Sequence, residues 1–236
     1  MKEMTSRTKF LEDCLKSINA KMALKAFYLV IDVMNVEKGY TRYNGTDYFL
    51  HLIDVTQILY NYGVRDDDIL AGALLHDIVE DCYKMGYTID YVEKEFNVRI
   101  AKMVNLVTKK PGIDYKVAVN MTAYLEDIFW DIGACLIKVA DRMHNFGNLE
   151  DATRKQVKKQ AIETKTFFIP FFKRCRNEYP QFAAFFYAAK TSIEPHLRRI
   201  EILESTIENY ESKIKYLEKQ LMVSRKQSGT SGGLLK

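Results

Sequence analysis

Apolar side chains recur at intervals of three and four residues through most of the 236-residue chain. That spacing lines one face of an α-helix, whereas a half-buried strand would alternate apolar and polar residues. Only four prolines and eleven glycines interrupt the chain, so long helices are permitted. The apolar run at 132–141 fits a buried helix or a short strand, and we predict a helix because no other segment has a convincing strand pattern. We therefore predict an all-α helical bundle.

Turn and cap residues divide this pattern into separate helices. Asn44-Gly45 indicates a loop, Gly63 ends a helix, and Asp66 and Thr88 have the character of N-caps. The predicted helical segments are two within residues 5–38, one over 48–62, one following Asp66, and further ones over 88–96, 98–107, 115–130, 132–141, 151–176 and 182–189.

The last regular segment keeps a strict seven-residue repeat, in which apolar residues alternate spacings of three and four over three heptads. These residues are Ile200, Leu203, Ile207, Tyr210, Ile214, Leu217 and Leu221. We predict three parts: a helical domain over 1–196, a coiled-coil or amphipathic helix over 197–225, and a flexible tail over 226–236. The helix either folds back on the domain or joins copies into a homo-oligomer, and we favour self-association.

Composition excludes several classes of partner. The net charge is only +4, and no compact stripe of Lys and Arg with interleaved aromatics suggests a nucleic-acid partner. No signal-peptide pattern and no uncharged apolar stretch of membrane-spanning length is present, so we expect a cytoplasmic protein without a membrane partner. The four cysteines are far apart, which predicts free thiols in a reducing compartment.

One motif concentrates ionisable side chains. His76-Asp77 follows the apolar run 73–75, and Glu80-Asp81 comes one helical turn later. On a continuous helix, His76 lies beneath Glu80 and Asp77 beneath Asp81, so all four share one side. Such crowded groups repel one another unless a charge offsets them, and a divalent cation is the usual one. The alternative is a solvated acidic helix end.

A metal site needs ligands from further elements, and the chain has only four histidines. His51 lies in an apolar setting on the preceding helix, and Asp141 ends an apolar run that we expect to be buried. A mixed nitrogen and oxygen site without sulfur suits manganese or another divalent first-row ion. The candidate ligands are His51, His76, Asp77 and Asp141. Alternatively, His51 is a core residue, Asp141 pairs with Arg142, and His144 only braces its helix.

Taken together, the motifs resemble those of one family. The matching residues are Arg42 with His51 nine positions later, His76-Asp77-x-x-Glu80-Asp81, and Asp141-Arg142-x-His144-Asn145. In this order and spacing, over about residues 20–190, the chain resembles the HD-domain hydrolases of the RelA/SpoT homologue group, which degrade ppGpp and pppGpp. It looks most like the small alarmone hydrolases, which consist of the hydrolase domain alone.

The resemblance implies a metallohydrolase with one manganese ion per chain, held by the four candidate ligands. It implies that Glu80 and Asp81 activate or orient the attacking water. The implied reaction is hydrolysis of the 3′-pyrophosphate, which gives GDP or GTP and pyrophosphate. Arg42 and Asn145 match residues that contact the nucleotide, and Tyr43 and Asn148 are expected near the substrate.

The sequence departs from the family in the loop that follows Arg42. The family usually has a basic residue and then Ser-Gly-Glu-Pro-Tyr, whereas this chain has Tyr43-Asn44-Gly45-Thr46-Asp47-Tyr48. A different nucleotide, such as NADPH or a deoxynucleotide, is therefore an alternative substrate. A non-enzymatic alarmone-binding module is a second alternative. A hydrolase of this kind could also work as the counterpart of an alarmone synthetase.

Overall fold

Helices make up the regular structure of the chain. The computed structural model describes residues 5–42 and 44–230, with side chains as far as residue 225. Across these residues there is no strand, only an isolated bridge between Thr41 and Asp47, so the predicted all-α fold is confirmed. In chain order the helices are α1 Ser6–Ser17, α2 Lys21–Val33, α3 Phe49–Asn61, α4 Asp67–Leu75, α5 Ile78–Cys82, α6 Ile89–Glu95, α7 Val98–Val107, α8 Ala118–Phe129, α9 Ile132–Phe146, α10 Arg154–Glu163, α11 Ile169–Glu178 and α12 Ala183–Thr230.

Side-chain caps explain where several helices begin. The Asp66 carboxylate accepts hydrogen bonds from the N–H groups of Asp68 and Ile69, at 3.0 and 3.1 Å. Thr88 accepts one from Tyr91 N–H at 3.2 Å, ahead of α6. Asp131 caps α9, because its carboxylate accepts from the N–H of Ala134 at 3.1 Å. Each cap satisfies backbone donors that the first helical turn leaves without a partner.

Several helical segments differ from the predicted bounds, and the one predicted over 182–189 continues as α12 to Thr230. Helix α8 begins at Ala118 rather than near Tyr115, because residues 115–116 form a turn and Val117 a bend. The segment predicted over 151–176 begins after the Thr153 cap and is divided by a π-helical turn, Thr164–Phe168. The helix predicted over 132–141 is confirmed and extends to Phe146.

The prediction of one continuous helix through the His-Asp and Glu-Asp pairs is wrong. Helix α4 ends at Leu75, α5 begins at Ile78, and Asp77 has a ψ of −5°. The ring of His76 bonds through Nδ1 to the Ala73 carbonyl at 2.7 Å. A continuous helix would pair that carbonyl with the N–H of Asp77, so the imidazole competes for the acceptor where the helix stops.

Helix α4 is the innermost element of the bundle. Residues 69–75 are all buried, and α4 packs against α2, α3, α7 and α9. Gly72 permits the close approach of α9, because a Cβ there would lie 3.0 Å from Ile137 Cδ1. The buried apolar packing of α4 therefore fixes the position of the junction between α4 and α5.

The chain divides into two compact units, one ending at Ile193 and the other beginning at Glu194. Pro195 lies inside α12 at this division and cannot donate a helical hydrogen bond. The predicted boundary at 196/197 stays a prediction. Of the tail predicted over 226–236, residues 226–230 have helical backbone and the rest lie outside the described residues. All four cysteines are free thiols.

No helix of the described residues combines the length and the apolar character needed to cross a bilayer.

Candidate metal centre

The four predicted ligands come together from three places in the fold. His51 lies on α3, His76 and Asp77 form the junction between α4 and α5, and Asp141 lies on α9. His51 Nε2 is 3.3 Å from Asp141 Oδ1 and 3.7 Å from Asp77 Oδ2. His76 Nε2 is 3.2 Å from Asp77 Oδ2 and 3.8 Å from Asp141 Oδ1. Two nitrogens and two carboxylates therefore face one another.

This donor set fits a divalent metal ion. Ligand atoms of His51, His76 and Asp77 all lie within 4.8 Å of one another. Among the described side chains, the Nε2 atoms of His51 and His76 are buried and have no hydrogen-bond partner. Burying a polar atom without a partner is costly, and a metal ion would supply the missing interaction. Imidazole and carboxylate ligands without sulfur suit a first-row divalent ion.

Outer hydrogen bonds fix which nitrogen of each histidine is available. His76 Nδ1 donates to the Ala73 carbonyl, so the lone pair of a neutral His76 lies on Nε2, where a metal ion would replace a proton. His51 Nδ1 lies 2.8 Å from His144 Nδ1, and His144 Nε2 lies 3.0 Å from Asp54 Oδ2. Because a carboxylate can only accept, His144 donates from Nε2–H to Asp54 and accepts at Nδ1 from His51 Nδ1–H. His51 therefore also presents an unprotonated Nε2.

Sequence reasoning kept His144 out of the ligand set and did not single out Asp54. Two weak signals were present, since Asp54 lies three residues after His51 and His144 three residues after Asp141, each on the same helix. Arg7 also contacts Asp54, at 2.6 Å. Together, Asp54 and His144 form an outer shell behind the candidate ligand His51.

Asp141 is buried but does not lack partners. Lys138 Nζ donates to its Oδ2 at 2.8 Å, and Asn145 Nδ2 donates to its Oδ1. Although burial opposes ionisation, the Lys138 ammonium and the two histidines hold the pKa of Asp141 well below its usual range. Lys138 is itself buried, and the sequence signal for its contact with Asp141 is their i,i+3 spacing on the predicted helix. The alternative pairing of Asp141 with Arg142 does not form, because Arg142 pairs with Glu163 instead.

Burial and the carboxylates act in opposite directions on the two histidines. Burial lowers the pKa of His51 to about 4, despite the nearby Asp141. Burial also opposes the charging of His76, but the Asp77 and Asp141 carboxylates outweigh it and raise its pKa to about 10. A cation bound between the carboxylates would compete with that proton.

Glu80 and Asp81 lie on α5, one turn beyond Asp77. The N–H of Asp81 donates to the Asp77 carbonyl at 2.9 Å. Partial burial, with the charges of Asp77 and Glu80, raises the pKa of Asp81 to about 6. Glu80 Oε2 accepts from the backbone N–H of Lys109 at 3.1 Å, which ties it to the loop after α7. The Glu80 carboxylate is thus held by a backbone hydrogen bond, whereas Asp81 has a pKa raised towards neutral pH.

The predicted substrate residues lie beside this centre. Arg42 donates to Asn145 Oδ1 at 2.9 Å, and Asn148 Nδ2 donates to the His144 carbonyl at 2.7 Å. A cavity of about 100 Å³ opens here, and its walls include Arg42, His51, His144 and Asn148. Tyr43, which we predicted near the substrate, lies outside the described residues.

Comparison with known proteins points to one family. Residues 26–175 match the family model described as the HD domain. The chain is 31% identical, over 165 residues, to a probable GTP diphosphokinase RSH2 of Arabidopsis thaliana, covering 66% of this chain and 22% of that protein. It is 26% identical, over 213 residues, to a guanosine-3′,5′-bis(diphosphate) 3′-pyrophosphohydrolase of Haemophilus influenzae, covering 83% and 29%. The chain thus spans less than a third of these relatives.

A solved structure shares the fold. It is described as a metazoan ortholog of SpoT that hydrolyses ppGpp, and it matches with a TM-score of 0.53 at 19% identity, covering 84% of this chain and 98% of that one. The family-model match includes His51, His76, Asp77 and Asp141. The chain belongs to the HD-domain family.

Proposed function

We propose that this chain is a metal-dependent hydrolase that removes the 3′-pyrophosphate of ppGpp and pppGpp, releasing pyrophosphate with GDP or GTP. The observation that carries the proposal is the convergence of two unpartnered imidazole nitrogens with the carboxylates of Asp77 and Asp141. The substrate is inferred from the names of the relatives. The donor set supports one manganese ion per chain, held by His51, His76, Asp77 and Asp141.

The proposed chemistry divides between the metal and the chain. When bound, a divalent ion lowers the pKa of a water molecule and offsets charge on phosphate oxygens. Asp81 takes the proton of the attacking water, since a carboxyl group with a pKa of about 6 is mostly ionised at neutral pH and still basic enough to accept. Glu80, anchored by the Lys109 N–H, orients the water.

We assign substrate contact to the side of the centre where Arg42, Asn145 and Asn148 lie. Arg42 carries a fixed positive charge and is only half-buried, so its guanidinium can bind phosphate oxygens. Asn145 contacts both Arg42 and Asp141, and so connects the nucleotide side to the ligand set. Tyr43 is proposed to contact the base.

The test is product identification with purified full-length protein, Mn²⁺ and ppGpp. We expect pyrophosphate and GDP in equal amounts, and a loss of at least roughly a hundredfold in rate for His76→Ala and for Glu80→Ala. His196→Ala is the matched control, because His196 is exposed and lies outside the unit that holds the site. Equal background rates from wild type and both variants would favour an alarmone-binding module without activity.

A different nucleotide is the second candidate, because the loop after Arg42 lacks the family's basic residue and proline. A panel that includes ppGpp, pppGpp, NADPH and deoxynucleotides decides between them. Cleavage of another nucleotide while ppGpp stays intact would overturn the substrate assignment but not the metal site.

Three wider proposals concern the cellular role, the location and the assembly of the chain. Hydrolysis of ppGpp would oppose an alarmone synthetase, and co-expression with one should restore growth only if His76 is intact. Free thiols favour a cytoplasmic location. We further propose self-association through α12.

A further inference from the structure

We propose that the C-terminal part of α12 pairs with the same segment of a second copy as a parallel, in-register, two-stranded coiled coil. Within the second compact unit, the core heptad positions a and d form one column along the helix, which we call the heptad seam. The a positions are Ile200, Ile207, Ile214 and Leu221, and the d positions are Leu203, Tyr210, Leu217 and Ser224.

Most of the heptad seam is exposed in the single chain, while Ile200 and Ile207 are half-buried. The exposed fractions are 52% for Leu203, 61% for Tyr210, 55% for Ile214, 47% for Leu217 and 59% for Leu221. A contiguous apolar column of this length on one helix marks an interaction surface. From Ile200 to Leu221 it runs for three heptads, which is about 33 Å at 1.5 Å per residue.

Charge complementarity identifies the occupant as a second copy in parallel orientation. In a parallel pair, each g side chain faces the e side chain five residues later on the partner helix. Those facing pairs are Arg199 with Glu204, Thr206 with Glu211, Lys213 with Glu218, and Gln220 with Arg225. Two pairs are attractive, and none of the four brings like charges together.

An antiparallel pair would reverse this balance, because e then faces e and g faces g. Glu204, Glu211 and Glu218 occupy three of the four e positions, so carboxylates would oppose carboxylates. At the g positions the charged residues are Arg199 and Lys213, both basic, so g facing g forms no attractive pair. The charge pattern therefore selects one orientation, and isoleucine at a with leucine at d favours two strands.

Orientation is tested by cross-linking the full chain. Ser224→Cys places a thiol at a d position, where two parallel in-register helices bring the same residue face to face. Ser212→Cys is the matched control, because position f points away from the seam. Under mild oxidation, we expect a disulfide-linked dimer from Ser224→Cys at roughly tenfold or more the rate of Ser212→Cys. Equal rates would overturn the parallel arrangement.

Strand number and charge pairing are tested by sedimentation of the uncross-linked chain. We expect the mass of two chains, and a Kd raised roughly tenfold or more by Glu204→Lys with Glu218→Lys, since attractive pairs become repulsive. Glu201→Lys with Glu208→Lys makes the same charge change at b positions and should leave the Kd nearly unchanged. A single-chain mass, a three-chain mass, or equal effects of the two double variants would overturn the proposal. None of these outcomes depends on hydrolase activity.

Discussion

Single hydrogen bonds decide which atoms of the candidate centre are ready for a metal. His51 presents Nε2 because its Nδ1 donates to His144, which in turn donates to Asp54. His76 does the same through a backbone carbonyl. With His76 in its neutral form, the two histidines thus present the same ring nitrogen by different means, and only His51 depends on further side chains. Its metal affinity should therefore respond to residues that never touch the metal.

Removing the acceptor behind His144 should weaken metal binding. Asp54→Ala leaves His144 free to change tautomer, so His51 Nδ1 loses its fixed acceptor, and we expect the Mn²⁺ Kd to rise roughly tenfold to a hundredfold. Asp54→Asn should retain most of the affinity, because an amide oxygen still accepts from Nε2–H. Calorimetric titration of the chelator-treated protein measures both.

Arg7→Ala is the control for this change, since it removes the ion pair with Asp54 but leaves the bond to His144. Metal affinity equal to wild type in Asp54→Ala would show that the outer shell has no part in binding. A loss in Arg7→Ala as large as in Asp54→Ala would assign the effect to the ion pair instead.

Asp81 should reduce the stability of the metal-free protein. Its pKa is about 6 in the folded chain, against an ordinary value of about 4, so folding retains a proton that the unfolded chain has released between these values. The resulting penalty grows from pH 4 to 6 and is complete above pH 6. In chelator, we expect Asp81→Asn to raise the melting temperature by a few degrees at pH 8, and by less at pH 5.

Asp13→Asn supplies the control for charge alone, because Asp13 is exposed on α1. It should change the melting temperature little at either pH. A lower melting temperature for Asp81→Asn at pH 8 would mean that the surroundings stabilise the ionised carboxylate of Asp81 instead of destabilising it. The expected gain in stability comes with lost hydrolysis, if Asp81 takes the proton.

At the scale of helices, the sequence predicts features set by neighbouring residues better than features set by side-chain contacts in space. The bounds of α3 follow from periodicity and from Gly63 after its end, and those of α7 from periodicity, all of which depend on neighbouring residues in the sequence. The grouping of His51, His76, Asp77 and Asp141 follows from motif spacing, while their role as ligands stays a prediction. The break after Leu75 was not foreseen, because it depends on where the His76 ring points.

Other parts of the site depend on contacts or on burial that no local pattern records. Lys138 lies three residues before Asp141 on α9, which places both on one helix face, but that spacing does not show that the ion pair is buried. Asp54 and His144 are 90 residues apart and meet only after α3 packs on α9. Such pairs need the packing of whole helices, which periodicity alone does not specify.

The packing of α4 on α9 gives a prediction for the elements themselves. Gly72 lies 3.0 Å, measured from an added Cβ, from Ile137 Cδ1 and 3.5 Å from Met103 Cε. Gly72→Val should therefore force α4 away from α9 and reduce the free energy of unfolding by about 1–3 kcal/mol. Because α4 leads into His76, metal affinity should fall as well. Urea unfolding and calorimetry measure the two effects.

Ala123→Val makes a comparable change on α8, where the side chain is exposed. It should cost no more than about 0.5 kcal/mol, which is the helix-propensity effect of a β-branched residue. If the urea midpoints of the two variants agree, the contact between α4 and α9 has room for a larger side chain, and the positioning of His76 does not depend on Gly72.

For the whole molecule, folding and metal binding are linked. The candidate ligands come from α3, the α4–α5 junction and α9, so the unfolded chain has no such site. A ligand that binds only the folded state stabilises it, by about 2.7 kcal/mol at a concentration one hundred times its Kd. We expect Mn²⁺ at that excess to raise the melting temperature by roughly 5–10 °C over chelator-treated protein.

Two controls, a different ion and a single variant, test whether this thermal shift comes from metal binding at the candidate centre. Ca²⁺ prefers oxygen ligands and should stabilise less than Mn²⁺, because two of the four candidate ligands are imidazoles. His76→Ala should abolish the Mn²⁺ shift while the variant still unfolds cooperatively, whereas His196→Ala should keep the full shift. If wild type melts at the same temperature after metal loss is confirmed by elemental assay, binding at this centre does not contribute to the stability of the fold.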